Sequence, residues 1–131
     1  MTPTLLTAEI LRRGARQVRE GWWPQCRWSR HEFLTRRVCA LGALENAVVG
    51  RRLADVSLPH SMWADDSWEA VVVLAGVINL LQQQSGVEST TIITEWNNAP
   101  QQTAEAVAAL MEVAALSYEL DQVTAAQVAV A

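Results

Sequence analysis

Apolar residues recur along this chain at helical spacing, in stretches separated by glycine, proline and asparagine. In the first stretch Leu5, Leu6, Ile10, Leu11 and Val18 fall on one side of a helical wheel, with Arg12, Arg13, Arg16 and Arg19 largely on the other. Thr4 or Thr7 can cap this helix, which is predicted to run to about Glu20. Gly14 weakens it, and Gly21 suits its C-terminal exit. A second helix is predicted from the capping box Ser29-Arg30-His31-Glu32 to Val49, closed by Gly50. Leu34, Val38, Leu41, Leu44 and Val48 form a bulky stripe on it, and Cys39, Ala43 and Ala47 a second stripe of small groups. Two such stripes predict a central helix with a close neighbour on its small face.

Asp66-Ser67-Trp68-Glu69 carries a further cap signature, opening a helix over 67–84 that is apolar nearly all round and therefore expected to be buried on all sides. Thr90 to Trp96 is rich in β-branched residues and reads as an extended segment or a brief helical turn, docked by Ile92, Ile93 and Trp96. Asn97-Asn98-Ala99-Pro100 is turn chemistry. A last helix is predicted from Thr103 to Asp121 with Val107, Met111, Ala114 and Tyr118 inward, and a tail from about 123 has few anchors and is expected to fray. The fold class that follows is all-α: one domain over 1–131, a compact bundle of about four main helices with long irregular connections.

Two connections stand out. Between the first two helices, Trp22-Trp23-Pro24-Gln25-Cys26-Arg27-Trp28 places three tryptophans beside a proline that forbids regular helix. The ordinary reading is that the indoles cover an open end of the core; the sharper one is an aromatic and arginine surface that grips a partner or stacks bases. Arg51 to Asp66 is a long connection containing Pro59 and His60, with Met62 and Trp63 as an apolar plug.

Composition adds little to the fold but something to function. Half of the 131 residues are hydrophobic and 18% are charged, as in globular chains. Two cysteines cannot build a disulfide framework, and no signal-peptide pattern opens the chain, so a cytoplasmic protein with reduced thiols is the expectation. Charge is segregated: all ten basic residues are arginines between Arg12 and Arg52, whereas from Leu53 onward there are ten carboxylates and no Lys or Arg. The basic half could grip phosphates, but the simpler account is that the two halves pair within the fold or between subunits.

Candidate chemistry is thin. Cys26, His31, Cys39 and His60 show no metal-ligand spacing, so no metal and no cofactor is expected. The order Cys39, His60, Asn97 matches a thiol nucleophile with its base and orienting amide, yet a cysteine inside a small-residue helical stripe is ordinarily a packing group. Asp65, Asp66, Glu69 and Glu95 offer carboxylates without a partner, and Asp66 and Glu69 are better explained as caps. No catalytic residue is assigned.

Val38-Cys39-Ala40-Leu41-Gly42-Ala43-Leu44 with Ala47, and Ile93-Thr94-Glu95-Trp96-Asn97-Asn98 with Thr103, Val107 and Leu110, resemble a family of small uncharacterised helical proteins from actinobacteria and their phages. That family often shows a Trp-Cys-x-Gly pattern upstream, distorted here to Trp22-Trp23-Pro24-Gln25-Cys26, and an aspartate where this chain has Asn98. The resemblance implies an all-helical domain of unknown function and supplies no catalytic residues. The leading functional expectation is a non-enzymatic interaction module, phage- or prophage-encoded and acting on a host protein, that binds through Trp22, Trp23, Trp28, Arg27 and Arg30. Nucleic-acid binding through the arginine-rich half is the alternative, a small cysteine-dependent enzyme the second, and a homo-oligomer through the oppositely charged halves is a further expectation.

Overall fold

A computed structural model describes residues 3–24, 38–49, 65–83 and 85–130. Among these residues the chain is helical: α1 (Pro3–Glu20), α2 (Ala40–Val49), α3 (Asp65–Gln82), α4 (Ser89–Asn97) and α5 (Ala104–Val130). The only β-type pairing among them is a single parallel bridge between Trp22 and Val38. No helix among the described residues is long and apolar enough to cross a membrane.

α1 packs against three of the other helices. Thr7, Ala8, Ile10, Leu11, Gly14, Ala15 and Val18 are buried on its inner face, which meets α5 most extensively and then α2 and α3. Pro3 stands at its start, where a missing N–H costs nothing. The helix therefore begins before both threonines that could cap it. Thr7 instead lies inside, buried, with no hydrogen-bond partner for its hydroxyl among the described residues.

α2 is central, as its two stripes predict. Val38, Leu41 and Leu44 of the bulky stripe and Cys39, Ala43 and Ala47 of the small one are all buried, and Ala40 between them is fully so. Its start differs from the expectation: Val38 is bridged to Trp22 and Cys39 is not helical, so α2 opens at Ala40. The capping box at 29–32, with Leu34, Gly50 and Pro59–Trp63, lies outside the described residues. The close neighbour of the small face is α1, at Gly14. A side-chain carbon built on Gly14 would stand 3.1 Å from Leu44 Cδ2, 3.5 Å from Met111 Sδ and 3.7 Å from the Ala43 backbone. Gly14 thus costs helix propensity and returns a close approach of three helices.

α3 corrects the expectation of burial on all sides. Ala70, Val71, Leu74, Ala75 and Ile78 face the core, while Val72, Leu80 and Leu81 are exposed. Glu69, read as a capping residue, accepts a hydrogen bond from the Tyr118 hydroxyl at 2.7 Å. The helix ends with Gln83 at a positive φ of 55°, its N–H bonded to the Asn79 carbonyl. α4 occupies the segment left open between strand-like and helical. Burial of Thr90, Ile92, Ile93 and Asn97 at helical spacing outweighs the β-branched composition. α5 is capped by Thr103, whose hydroxyl accepts the Ala106 N–H at 3.1 Å. Val107, Met111, Ala114 and Tyr118 are inward as predicted, but the helix continues nine residues past Asp121 to Val130.

Opposite charges pair within the chain where α1 runs antiparallel to α5. Arg19 donates to Glu105 at 2.8 and 2.9 Å and to Glu112 at 2.8 Å, and Arg12 holds both carboxylate oxygens of Glu119. Arg13 pairs with Glu9 one turn earlier at 2.6 Å. Hydrogen bonds from Arg19 hold Glu105 and Glu112 below the ordinary carboxylate range, and those from Arg12 do the same for Glu119, each against the opposing effect of burial.

Gly14→Leu and Ala43→Leu, each forcing bulk between α1 and α2, are expected to lower stability by about 1–3 kcal/mol in chemical denaturation; an unchanged midpoint for both would show that the contact is loose. The glutamates have depressed folded pKa values, so their contribution is complete above the unfolded carboxylate range and is lost as pH falls through the folded values. Thermal melts in low salt should be flat from neutrality to roughly pH 5 and then decline. Arg19→Gln should flatten that decline, and an identical acid slope in the variant would remove the ladder as its cause.

Candidate functional site

Three separated stretches meet at one buried amide. Asn97, the last residue of α4, is 0% exposed, and all four of its hydrogen-bonding positions are used. Its Oδ1 accepts the Trp22 indole N–H at 2.8 Å and the Ala40 backbone N–H at 3.0 Å. Its Nδ2 donates to the Trp23 carbonyl and to Asn98 Oδ1, both at 3.2 Å. Ala40 opens α2, so its N–H is one of the four that a helix start leaves without an internal partner. The bridge beside it is made by Trp23 N–H on the Val38 carbonyl at 2.9 Å and Val38 N–H on the Gly21 carbonyl at 2.8 Å.

Cys39 completes the start of α2. Its carbonyl accepts the Ala43 N–H at 2.9 Å, and its Sγ accepts the Gly42 N–H at 3.4 Å, the bond that a serine hydroxyl makes at a helix cap. The thiol therefore sits at the positive end of the helix and not, as its spacing suggests, within it. It forms no disulfide and is 3% exposed.

These contacts fix where the candidate residues of the sequence lie. Trp22 and Trp23 are half-buried; Trp22 packs against the core and spends its N–H on Asn97. Arg27, Trp28 and Arg30 lie outside the described residues, as do Cys26, His31 and His60. The Asn97 amide, read as turn chemistry or as a group to orient an imidazole, is engaged by Trp22, Trp23, Ala40 and Asn98. Among the described residues no group of three or more His, Cys, Asp and Glu side chains gathers as a metal site would. Glu95 is exposed on α4.

A feature that spacing alone did not single out is the apolar surface of α3 and α5. Among the described residues, every large apolar side chain that is well exposed belongs to these two helices, between 41% for Trp68 and 77% for Leu80. On α3, Trp68, Val72 and Leu80 lie in steps of four or eight, with exposed Gly76 between them. On α5, Val113, Leu116, Leu120 and Val123 line the face opposite the core. A signal was present in the sequence, since both helices are apolar over a wider arc than one packed face requires.

The model of a family of unknown function, DUF6197, matches residues 2–116. No curated protein and no solved structure matches the chain. The matched stretch contains all three parts of the junction: Trp22-Trp23, Val38 to Gly42, and Trp96-Asn97-Asn98.

Asn97→Ala leaves the buried Ala40 N–H and the part-buried Trp22 N–H and Trp23 carbonyl without this partner. The expected loss is about 2–3 kcal/mol, since a stranded buried polar group costs about 1–3 and a part-buried one less. Trp22→Phe, which removes one donor and part of the ring, should cost less. The order is checked by denaturant titration followed through tryptophan fluorescence, and Trp22→Phe proving the costlier change would reverse the roles assigned here.

Proposed function

The chain belongs to DUF6197, a family of unknown function, and from its surface we propose that it is a non-enzymatic protein-interaction module. The observation that supports this reading is the confinement of the well-exposed large apolar side chains, among the described residues, to α3 and α5. Scattered exposed leucines need no explanation, but apolar residues repeating along one helix face in water mark a surface that is covered in use. Trp68, Val72 and Leu80 give α3 an aromatic end and an aliphatic end, a combination suited to a helix or groove of matching apolar character.

The working surface is then on α3 and α5 in preference to Trp22 and Trp23. Trp22 is committed to Asn97, and truncating it would perturb the fold before it perturbed a partner. The nucleic-acid alternative receives less support, because Arg12, Arg13 and Arg19 are each engaged by a carboxylate of the same chain.

The test is binding by the intact chain and by Val72→Glu with Leu80→Glu, whose sites are exposed. Quantitative affinity capture is expected to retain a discrete, saturable partner with the natural chain and to lose it by at least about tenfold with the charged variant, equivalent to the burial of one aliphatic side chain or more. Melting temperatures of the two should agree. An unchanged capture profile would remove α3 from the surface.

A further inference from the structure

The outer face of α5 carries more information than exposure. Val113, Leu116, Leu120 and Val123 follow one another at steps of three, four and three residues, the alternation of a coiled-coil seam. With Val113 and Leu120 at position a and Leu116 and Val123 at d, the same register places Ala106 and Ala109 one heptad earlier and Gln127 one position a later. All seven positions are exposed. The core-facing residues Val107, Met111, Ala114 and Tyr118 lie on the opposite side, so the seam is a second apolar stripe with no role in this fold's interior.

We infer that a second copy of this chain covers this seam, the two α5 helices lying side by side in parallel and in register. Two observations select that occupant. The first is charge. In this register position g is Glu105, Glu112 and Glu119, and position e is Leu110, Ser117 and Thr124. Parallel pairing sets each g residue against the e residue five positions later in the partner helix, so every glutamate meets an uncharged side chain. Antiparallel pairing would set glutamates against glutamates. Arg12 and Arg19 pair with those three carboxylates from the same chain and leave one excess negative charge on the edge, which parallel pairing keeps away from the same edge of the copy.

The second observation is length. From Leu120 to Val128 every residue except Gln122 is exposed, so the last two turns and more of α5 extend beyond the body with seam residues Leu120 and Val123 on them. A helical extension of that size is marginal in water without packing, and a like helix alongside would supply it. A heptad seam also fits a helix in preference to a flat surface, because each a or d side chain enters a space between four residues of its neighbour.

The inference deepens the interaction reading by naming a partner for the α5 part of the surface, and its variants leave Val72 and Leu80 untouched. Sedimentation equilibrium on the intact chain at about 10–100 µM is expected to give a dimer. Leu116→Glu with Leu120→Glu should weaken it by at least about 100-fold, since two buried leucines are replaced by charges. Both sites are exposed, so the variant's helical circular dichroism should persist up to the C-terminal turns. Leu116→Cys should form an intermolecular disulfide on mild oxidation, because a d residue meets its own copy only in the parallel, in-register pairing. A monomer for the natural chain, or a dimer indifferent to the double substitution, overturns the inference; a dimer in which Leu116→Cys fails to cross-link overturns its parallel geometry. The capture experiment on the α3 face reads the broader interaction proposal separately.

Discussion

The structure depends on hiding one amide from water without leaving any of its bonds unmade. Asn97 joins the end of α4 to the connector after α1 and to the first N–H of α2, three points far apart in the chain. A buried polar network of this kind is specific because a partial version is costly: an interior donor without an acceptor is worse than an apolar pair. Neither a longer nor a smaller side chain satisfies the same four partners. The end of one helix thereby defines where another begins, and Trp22 is oriented as a consequence.

Around that junction, packing between α1 and α2 sets the dimensions of the core. Gly14 brings Leu44 and Met111 within contact of a helix backbone, and Ala43 and Ala47 keep the opposing face shallow. The ladder of Arg12 and Arg19 with Glu105, Glu112 and Glu119 runs along the outside of the α1–α5 pair. Mostly solvated ion pairs of this sort add little stability and fix orientation more than strength. They account for the segregation of arginine and glutamate in α1 and α5 as pairing within one chain.

Much of the architecture was legible because periodicity reports burial directly. The inward residues of α5, the two stripes of α2 and the all-helical class follow from spacing. Other features needed partners that a one-dimensional pattern does not reveal. Gly14 reads as a weak point until Leu44 is placed against it. Cys39 reads as helix interior because Val38 and Cys39 continue the apolar spacing, although the bridge to Trp22 holds them out of the helix. Asn97 beside Asn98, Ala99 and Pro100 has turn composition, and only the three-way contact shows why an amide stands there. α3 is apolar on both sides, so a hydrophobic pattern could not distinguish a helix surrounded by core from one with an exposed apolar face.

The Trp22–Val38 bridge also has an entropic meaning. Two backbone hydrogen bonds tie Gly21 and Trp23 to Val38, so the exit from α1 and the entry to α2 are held at one point. The freedom of the two helix ends relative to each other is given up once, at the bridge, and the α1–α2 contact then forms between ends already in place. The bridge acts as a clasp that keeps the two helices in register.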